Sequence, residues 1–240
     1  MNEVKALVFD TFGTVVDWRS GVARDVGKIF GKRGLPVDAF GFADAWRKRY
    51  QPAMEAVRSG RRPFTRLDVL HRENLDLVLE DLGVTREQMP EEYREYLNRA
   101  WHRLDPWPDA IPGLLKLRAK YFLAPLSNGN IALLANMAKR AGIPWDAVLG
   151  AEAAQAYKPQ REAYTRTAEI LGLKVSQVAL VAAHNGDLRA ARAAGMCTAF
   201  VARPTEHGPG QTTDLEAEEK WDVVAEDFEE LAWLLGCAAI

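Results

Sequence analysis

The sequence predicts an α/β protein, a parallel sheet with helices on both faces and a helical insertion after the first strand. Three observations carry this. Lys5–Phe9 (KALVF) is a short apolar run that empties into a turn between Asp10 and Gly13, as a buried strand does. From Trp18 to about Leu104 the periodicity is helical, with almost no strand signal. Beyond the punctuation at Trp107–Pro108 and Pro112–Gly113, strand and helix patterns alternate, which is the signature of a parallel sheet covered on both faces.

The elements follow in order. Within the insertion, Leu67, Leu70, Leu75, Val78, Leu79 and Leu82 recur near helical spacing and predict a helix over Thr65–Leu82. The second half reads as strand Tyr121–Leu126, helices Ile131–Ala141 and Ala163–Leu171, strand Val178–Ala182, helix Leu188–Ala194 and strand Thr198–Val201. Trp221–Val224 and Phe228–Leu235 read as a last strand and a last helix. The expected division is a core of residues 1–16 and 105–240 around an insertion of residues 17–104. No internal repeat or low-complexity tract interrupts it.

A chain of 240 residues with 48% hydrophobic and 27% charged residues has the balance of an ordinary globular protein. Its 31 Lys+Arg, set against 33 Asp+Glu, are dispersed, which argues against a nucleic-acid partner. No run approaches the ~18 apolar residues of a membrane span, and MNEVKALVFDTFG lacks the plan of a signal peptide, so a cytoplasmic protein with no membrane partner is expected. Cys197 and Cys237 lie far apart and without metal-ligand spacing, and read as two free buried thiols. No metal site is expected.

Four segments stand at or near predicted strand ends: Asp10–Thr14, Ser127–Gly129, Lys158–Pro159 and Ala183–Asp187. The ends of parallel strands share one edge of the sheet, where ligands gather. Together they would assemble a carboxylate, a hydroxyl, an ammonium and a second carboxylate, the groups of a charge-compensated nucleophilic site.

In this order and spacing the four segments resemble the haloacid dehalogenase superfamily over essentially the whole chain. FDTFGTVVDW, the pair Trp46–Arg47, LSNGN, YKPQREAY and VAAHNGDLRAARAAGM look most like its L-2-haloacid dehalogenase (type II) branch. The resemblance implies a Rossmann-like core, a helical cap formed by the insertion, no cofactor, a homodimer, and a small halogenated carboxylic acid as substrate. Two residues separate this reading from phosphatases of the same superfamily. Those enzymes carry a second Asp two positions after the nucleophile, which protonates the leaving alcohol, and a fourth-loop carboxylate that helps hold Mg²⁺. Here the positions are Phe12 and Ala183. A halide leaves as a stable anion and needs no acid. A formal charge of zero over Asp10, Asp187, Arg47 and Lys158 likewise suits a monoanionic carboxylate better than a phosphate dianion.

The resemblance assigns Asp10 as nucleophile, Lys158 as the ammonium that keeps it ionised, and Asp187 as a group that orients or activates water. Thr14 reads either as a hydrogen-bond donor to Asp10 or as a helix N-cap. Ser127 and Asn128 match positions that receive the substrate carboxylate and the halide, or else satisfy backbone groups at a helix start. Arg47 matches an arginine that meets the substrate from the cap, with a surface arginine as the alternative. Tyr164 matches an active-site tyrosine but is also placed as a core residue. Phe12 and Phe64 read as apolar wall, Phe64 equally as ordinary packing. Members of the branch carry Ser, Asn and Trp where this chain has Ala182, His184 and Gly186. His184 and its neighbour Asn185 are therefore candidate substitute hydrogen-bonding groups, with a structural role for the histidine left open. The competing functions are a phosphatase of the same scaffold and a non-catalytic metabolite-binding member.

Overall fold

The computed structural model describes residues 1 and 3–237. The chain opens with β1 (Ala6–Phe9) and β2 (Val16–Asp17), then runs through α1 (Trp18–Lys32), α2 (Ala39–Lys48), α3 (Tyr50–Arg58), α4 (Leu67–Asp81) and α5 (Glu91–Asn98). A 3-10 turn at Arg99–His102 leads to β3 (Asp105–Pro106). The second half is α6 (Ala110–Arg118), β4 (Phe122–Pro125), α7 (Ile131–Ala141), α8 (Ala151–Ala154), α9 (Arg161–Ile170), β5 (Val178–Ala182), α10 (Asn185–Ala194), β6 (Cys197–Val201), β7 (Val223–Ala225) and α11 (Phe228–Leu234).

Five strands form one parallel sheet in the order β4-β1-β5-β6-β7. Residues of β1 alternate between two apolar cores. Leu7 and Phe9 pack with Val181, Val201 and Phe228 on one face, whereas Ala6 and Val8 pack with Leu180, Leu188 and Phe200 on the other. A strand covered on both faces has no polar side to show, which is why its sequence reads as an unbroken apolar run. Each large side chain so buried contributes roughly 1.5–3 kcal/mol.

The helical segment leaves and re-enters through an antiparallel ribbon, in which Val16 pairs with Pro106 and Asp17 with Asp105. This ribbon was not expected from the sequence, because two-residue strands are too short to show an alternation. Asp17 also caps α1, accepting a hydrogen bond from Ser20 N–H at 3.0 Å. Further along, Asp68 on α4 accepts from Asn130 Nδ2 at 2.9 Å and sits 2.9 Å from His102 Nε2, tying the insertion to the start of α7.

Most differences from the sequence expectation are shifts at element ends. The helix expected over Thr65–Leu82 spans Leu67–Asp81, and the last strand lies at Val223–Ala225 because Trp221 turns into the apolar core. Cys237 is buried but Cys197 is only half-buried at the amino end of β6. Among the described residues no helix is long and apolar enough to cross a membrane.

Candidate active site

Asp10 follows β1 directly and hangs its backbone N–H on Val181 O of the adjacent strand, so its side chain starts at the carboxyl edge of the sheet. It is almost fully buried. Lys158 Nζ donates to its Oδ1 at 2.8 Å, and Thr14 Oγ1 donates to its Oδ2 at 2.8 Å. His184 Nδ1 lies 3.0 Å from the same Oδ2. Burial works against the charge of Asp10, but Lys158 and His184 outweigh it and hold the carboxyl well below the usual range. The group is an ionised, water-poor carboxylate.

Lys158 bridges two carboxylates, Asp10 and Asp187. Burial opposes the ammonium, yet the two negative neighbours raise its pKa above that of a free lysine. Its backbone is held from both sides: Lys158 N–H donates to Asn128 Oδ1 at 2.8 Å, and Lys158 O accepts from Arg58 Nη1 at 3.0 Å. Tyr164 OH donates to Asp187 Oδ1 at 2.6 Å, so the tyrosine faces the site from α9, and burial followed by the Asp187 charge raises its pKa. Ser127 Oγ accepts from Gly129 N–H at 3.1 Å and rounds the loop after β4.

From the helical segment Arg47 enters between aromatic rings, its guanidinium carbon 4.1 Å from the Tyr50 ring centre, 5.3 Å from Trp18 and 5.8 Å from Phe12. Its Nη1 is buried and has no partner among the described residues. His71, stacked on Trp101 at 4.4 Å, has no partner at either ring nitrogen, and the Trp101 Nε1 is likewise unpaired. Burial, with Arg47 and His102 adding to it against Asp68, pushes His71 down to about 3, so the ring is neutral.

Two predicted residues lie apart from this convergence. Asn185 is diverted: its Nδ2 donates to Asp214 Oδ1 and Glu216 O, and its Oδ1 accepts from Glu218 N–H and Trp221 Nε1. All its hydrogen-bonding capacity is used in fastening the loop after β6, which leaves none for a ligand. Phe64 stacks on Tyr157 at 5.3 Å, beside the Lys158 loop. The sequence reading missed Glu206, which is 1% exposed, lies 2.8 Å through Oε2 from His184 Nε2, and accepts from Trp18 Nε1 at 2.9 Å through Oε1. The available signal was its place in the loop after β6, a further strand end on the same edge.

The residues present do not suit a divalent cation. The fourth-loop carboxylate that would help hold one is replaced by Ala183, the Lys158 ammonium lies between Asp10 and Asp187, and among the described residues no three His, Cys, Asp or Glu side chains are grouped to bind a metal ion.

A family model for haloacid dehalogenase-like hydrolases matches residues 4–195. The chain is 30% identical over 202 residues to the (S)-2-haloacid dehalogenase of Xanthobacter autotrophicus, covering 83% of this chain and 76% of that one. A solved structure of a defluorinating L-2-haloacid dehalogenase is similar at TM-score 0.96 and 53% identity, covering 97% of this chain and 95% of its own. The L-2-haloacid dehalogenase from Xanthobacter autotrophicus, solved with chloropropionic acid covalently bound, is similar at TM-score 0.80 and 26% identity, covering 97% and 98% of the two chains.

Proposed function

The chain belongs to the haloacid dehalogenase-like hydrolases, and on that premise we propose that it hydrolyses a short (S)-2-haloalkanoic acid to the 2-hydroxy acid, without a metal, through an ester on Asp10. The observation that carries this reading is the Asp10 carboxylate, buried and ionised against Lys158 at a strand end, with Phe12 and Ala183 where phosphoryl transfer needs carboxylates. Asp10 attacks the halogen-bearing carbon from the side opposite the halide, so the centre inverts and an (S)-2-chloro acid gives the (R)-hydroxy acid. The relatives' activity on haloacids supports the substrate class, and the covalently bound chloropropionic acid in the Xanthobacter enzyme supports the ester.

In this reading the insertion acts as a cap, Arg47 meets the substrate from it, and Ser127 and Asn128 receive the carboxylate and the halide. Phe12 supplies apolar wall, and Phe64 is packing behind the Lys158 loop. After the halide leaves, Asp187, steered by Tyr164 and Lys158, orients the water that opens the ester. Counting Glu206 and the protonated His184 leaves the local charge at zero, as three carboxylates face three cations. The proposed assembly is a cytoplasmic homodimer, which light scattering of the purified protein tests.

The deciding experiment is a single turnover in ¹⁸O-water with enzyme in excess. Solvent oxygen enters at the Asp10 carbonyl carbon, so the Asp10 peptide gains label and the first hydroxy acid stays unlabelled. Label in the product and none on Asp10 makes Asp10 a general base and overturns the ester.

A further inference from the structure

The two oxygens of Asp10 are held differently. Oδ1 faces the Lys158 ammonium at 2.8 Å, whereas Oδ2 meets Thr14 Oγ1 at 2.8 Å and His184 Nδ1 at 3.0 Å. Thr14 is oriented as a donor, because its Oγ1 already accepts Ala183 N–H at 3.0 Å. His184 is anchored from behind by Glu206 at 2.8 Å, and Glu206 is itself caged. Trp18 Nε1 holds its other oxygen, and Gly13 passes so close, with φ 88°, that a Cβ there would lie 2.1 Å from the Glu206 carboxylate. The charged groups around this pair are Asp10 on His184, and His207 and Arg47 on Glu206. Burial disfavours the imidazolium, but Glu206 and Asp10 raise its pKa well above 6.5.

We propose that His184, locked by Glu206, is a catalytic residue of the second half-reaction: with Thr14 it forms an oxyanion hole for opening the Asp10 ester. The proposal rests on the dehalogenase reading above. When Oδ1 bonds to the substrate carbon and the halide departs with its electron pair, Oδ2 becomes the ester carbonyl oxygen. The nucleophile has lost its charge, yet both donors still point at Oδ2. Attack of water on Cγ moves an electron pair onto Oδ2, where the imidazolium and the Thr14 hydroxyl stabilise the developing charge. Collapse breaks the Cγ–Oδ1 bond, so Oδ1 leaves as the product hydroxyl with one proton of the water. The other proton is released, returning Asp10 to a carboxylate, and one proton therefore leaves with each halide. A neutral donor at this position would supply a weaker field. Glu206 keeps the ring charged and aimed without itself touching the reacting atoms, which makes it a positioning residue.

With enzyme in excess over (S)-2-chloropropionate, halide release reports alkylation of Asp10 and hydroxy-acid release reports ester opening. His184→Ala is expected to slow ester opening by roughly 10²–10³-fold, the effect of losing one oxyanion donor, while halide is still released at close to the native rate, up to one equivalent of the substrate added. The Asp10 peptide should then carry the mass of the ester. His184→Asn, which keeps a neutral donor, should recover part of the rate. Glu206→Gln removes the charge behind the ring, so ester opening should fall as pH rises through the ordinary histidine range, where the native enzyme holds its rate. Equal slowing of both releases in His184→Ala, with an unmodified Asp10 peptide, overturns the proposal and leaves His184 as a support for the resting carboxylate. A native enzyme that releases no halide overturns the dehalogenase reading, and this proposal with it.

Discussion

At the sheet edge Asp10, Lys158, Asp187, His184 and Glu206 are each engaged by an oppositely charged neighbour. In the aromatic shell above it, built by the insertion, Arg47 Nη1, both nitrogens of His71 and Trp101 Nε1 are buried with no partner among the described residues. The edge is electrostatically complete before any ligand arrives, so its charges hold one another in place. The shell carries the cost of desolvated donors, a cost that an incoming anion with acceptor atoms removes. In the proposed reading, nucleophile and receptor thus have opposite requirements, one fixed in the resting protein and the other satisfied on binding.

The contrast breaks most completely at Asp10. Asp10→Asn removes the proposed nucleophile and should lower kcat on the order of 10⁴-fold or more, with Lys158 still held by Asp187; steady-state halide release measures it. Residual turnover within tenfold of the native enzyme would move the nucleophile elsewhere.

In the shell, Arg47→Lys replaces a planar fork of donors with a point charge, which should cost about 10²-fold in kcat/KM through misplacement of the substrate. The melting temperature should be nearly unchanged, since Arg47 holds no ion pair among the described residues. Unaltered kinetics would separate Arg47 from the substrate.

A third test concerns stability. His71 is lowered to about 3 by burial and by the nearby Arg47 and His102 charges, so on acidification the unfolded chain takes up a proton that the folded chain refuses. Its contribution is harmless above ~6.5 and destabilises progressively as pH falls below that, by up to about 1.4 kcal/mol per pH unit. His184 has the opposite shift, and its stabilisation is already complete below ~6.5. Asp10, with a depressed pKa, loses its stabilisation only when pH falls below about 4. Urea unfolding between pH 6 and about pH 5.5, above the ordinary glutamate value of 4.5 near which Glu206 and Glu73 begin to lose their own stabilisation, therefore reports mainly on His71, and His71→Phe should flatten the slope there. An unchanged slope would place the acid sensitivity in other groups.

The smallest expected effect is none at all. Because Lys158 occupies the place between Asp10 and Asp187, EDTA should leave halide release unchanged, and added Mg²⁺ should raise it little. Chelator-sensitive halide release would remove the metal-free reading.

By itself the sequence determined the sheet, through apolar runs of strand length, and the position of Asp10 where the run of β1 breaks, with Thr14 in the turn after it and Asp187 in the first turn of the helix after β5. Those features are local, and parallel strands gather their ends at one edge whatever the details of packing. Lys158, expected near a strand end, instead follows the helix α8, and only the folding of that loop brings it to the same edge. Tertiary structure alone decided which neighbours became partners. Glu206 lies 22 residues from His184 along the chain, and Trp18 lies 188 from Glu206, so only the docking of helix and loop brings them into contact. The same holds for the shell, where Arg47, His71 and Trp101 come from α2, α4 and the turn before β3. Asn185 gives the converse lesson: adjacent to His184 in sequence, it points into the loop after β6, because the first turn of a helix sends successive side chains in different directions.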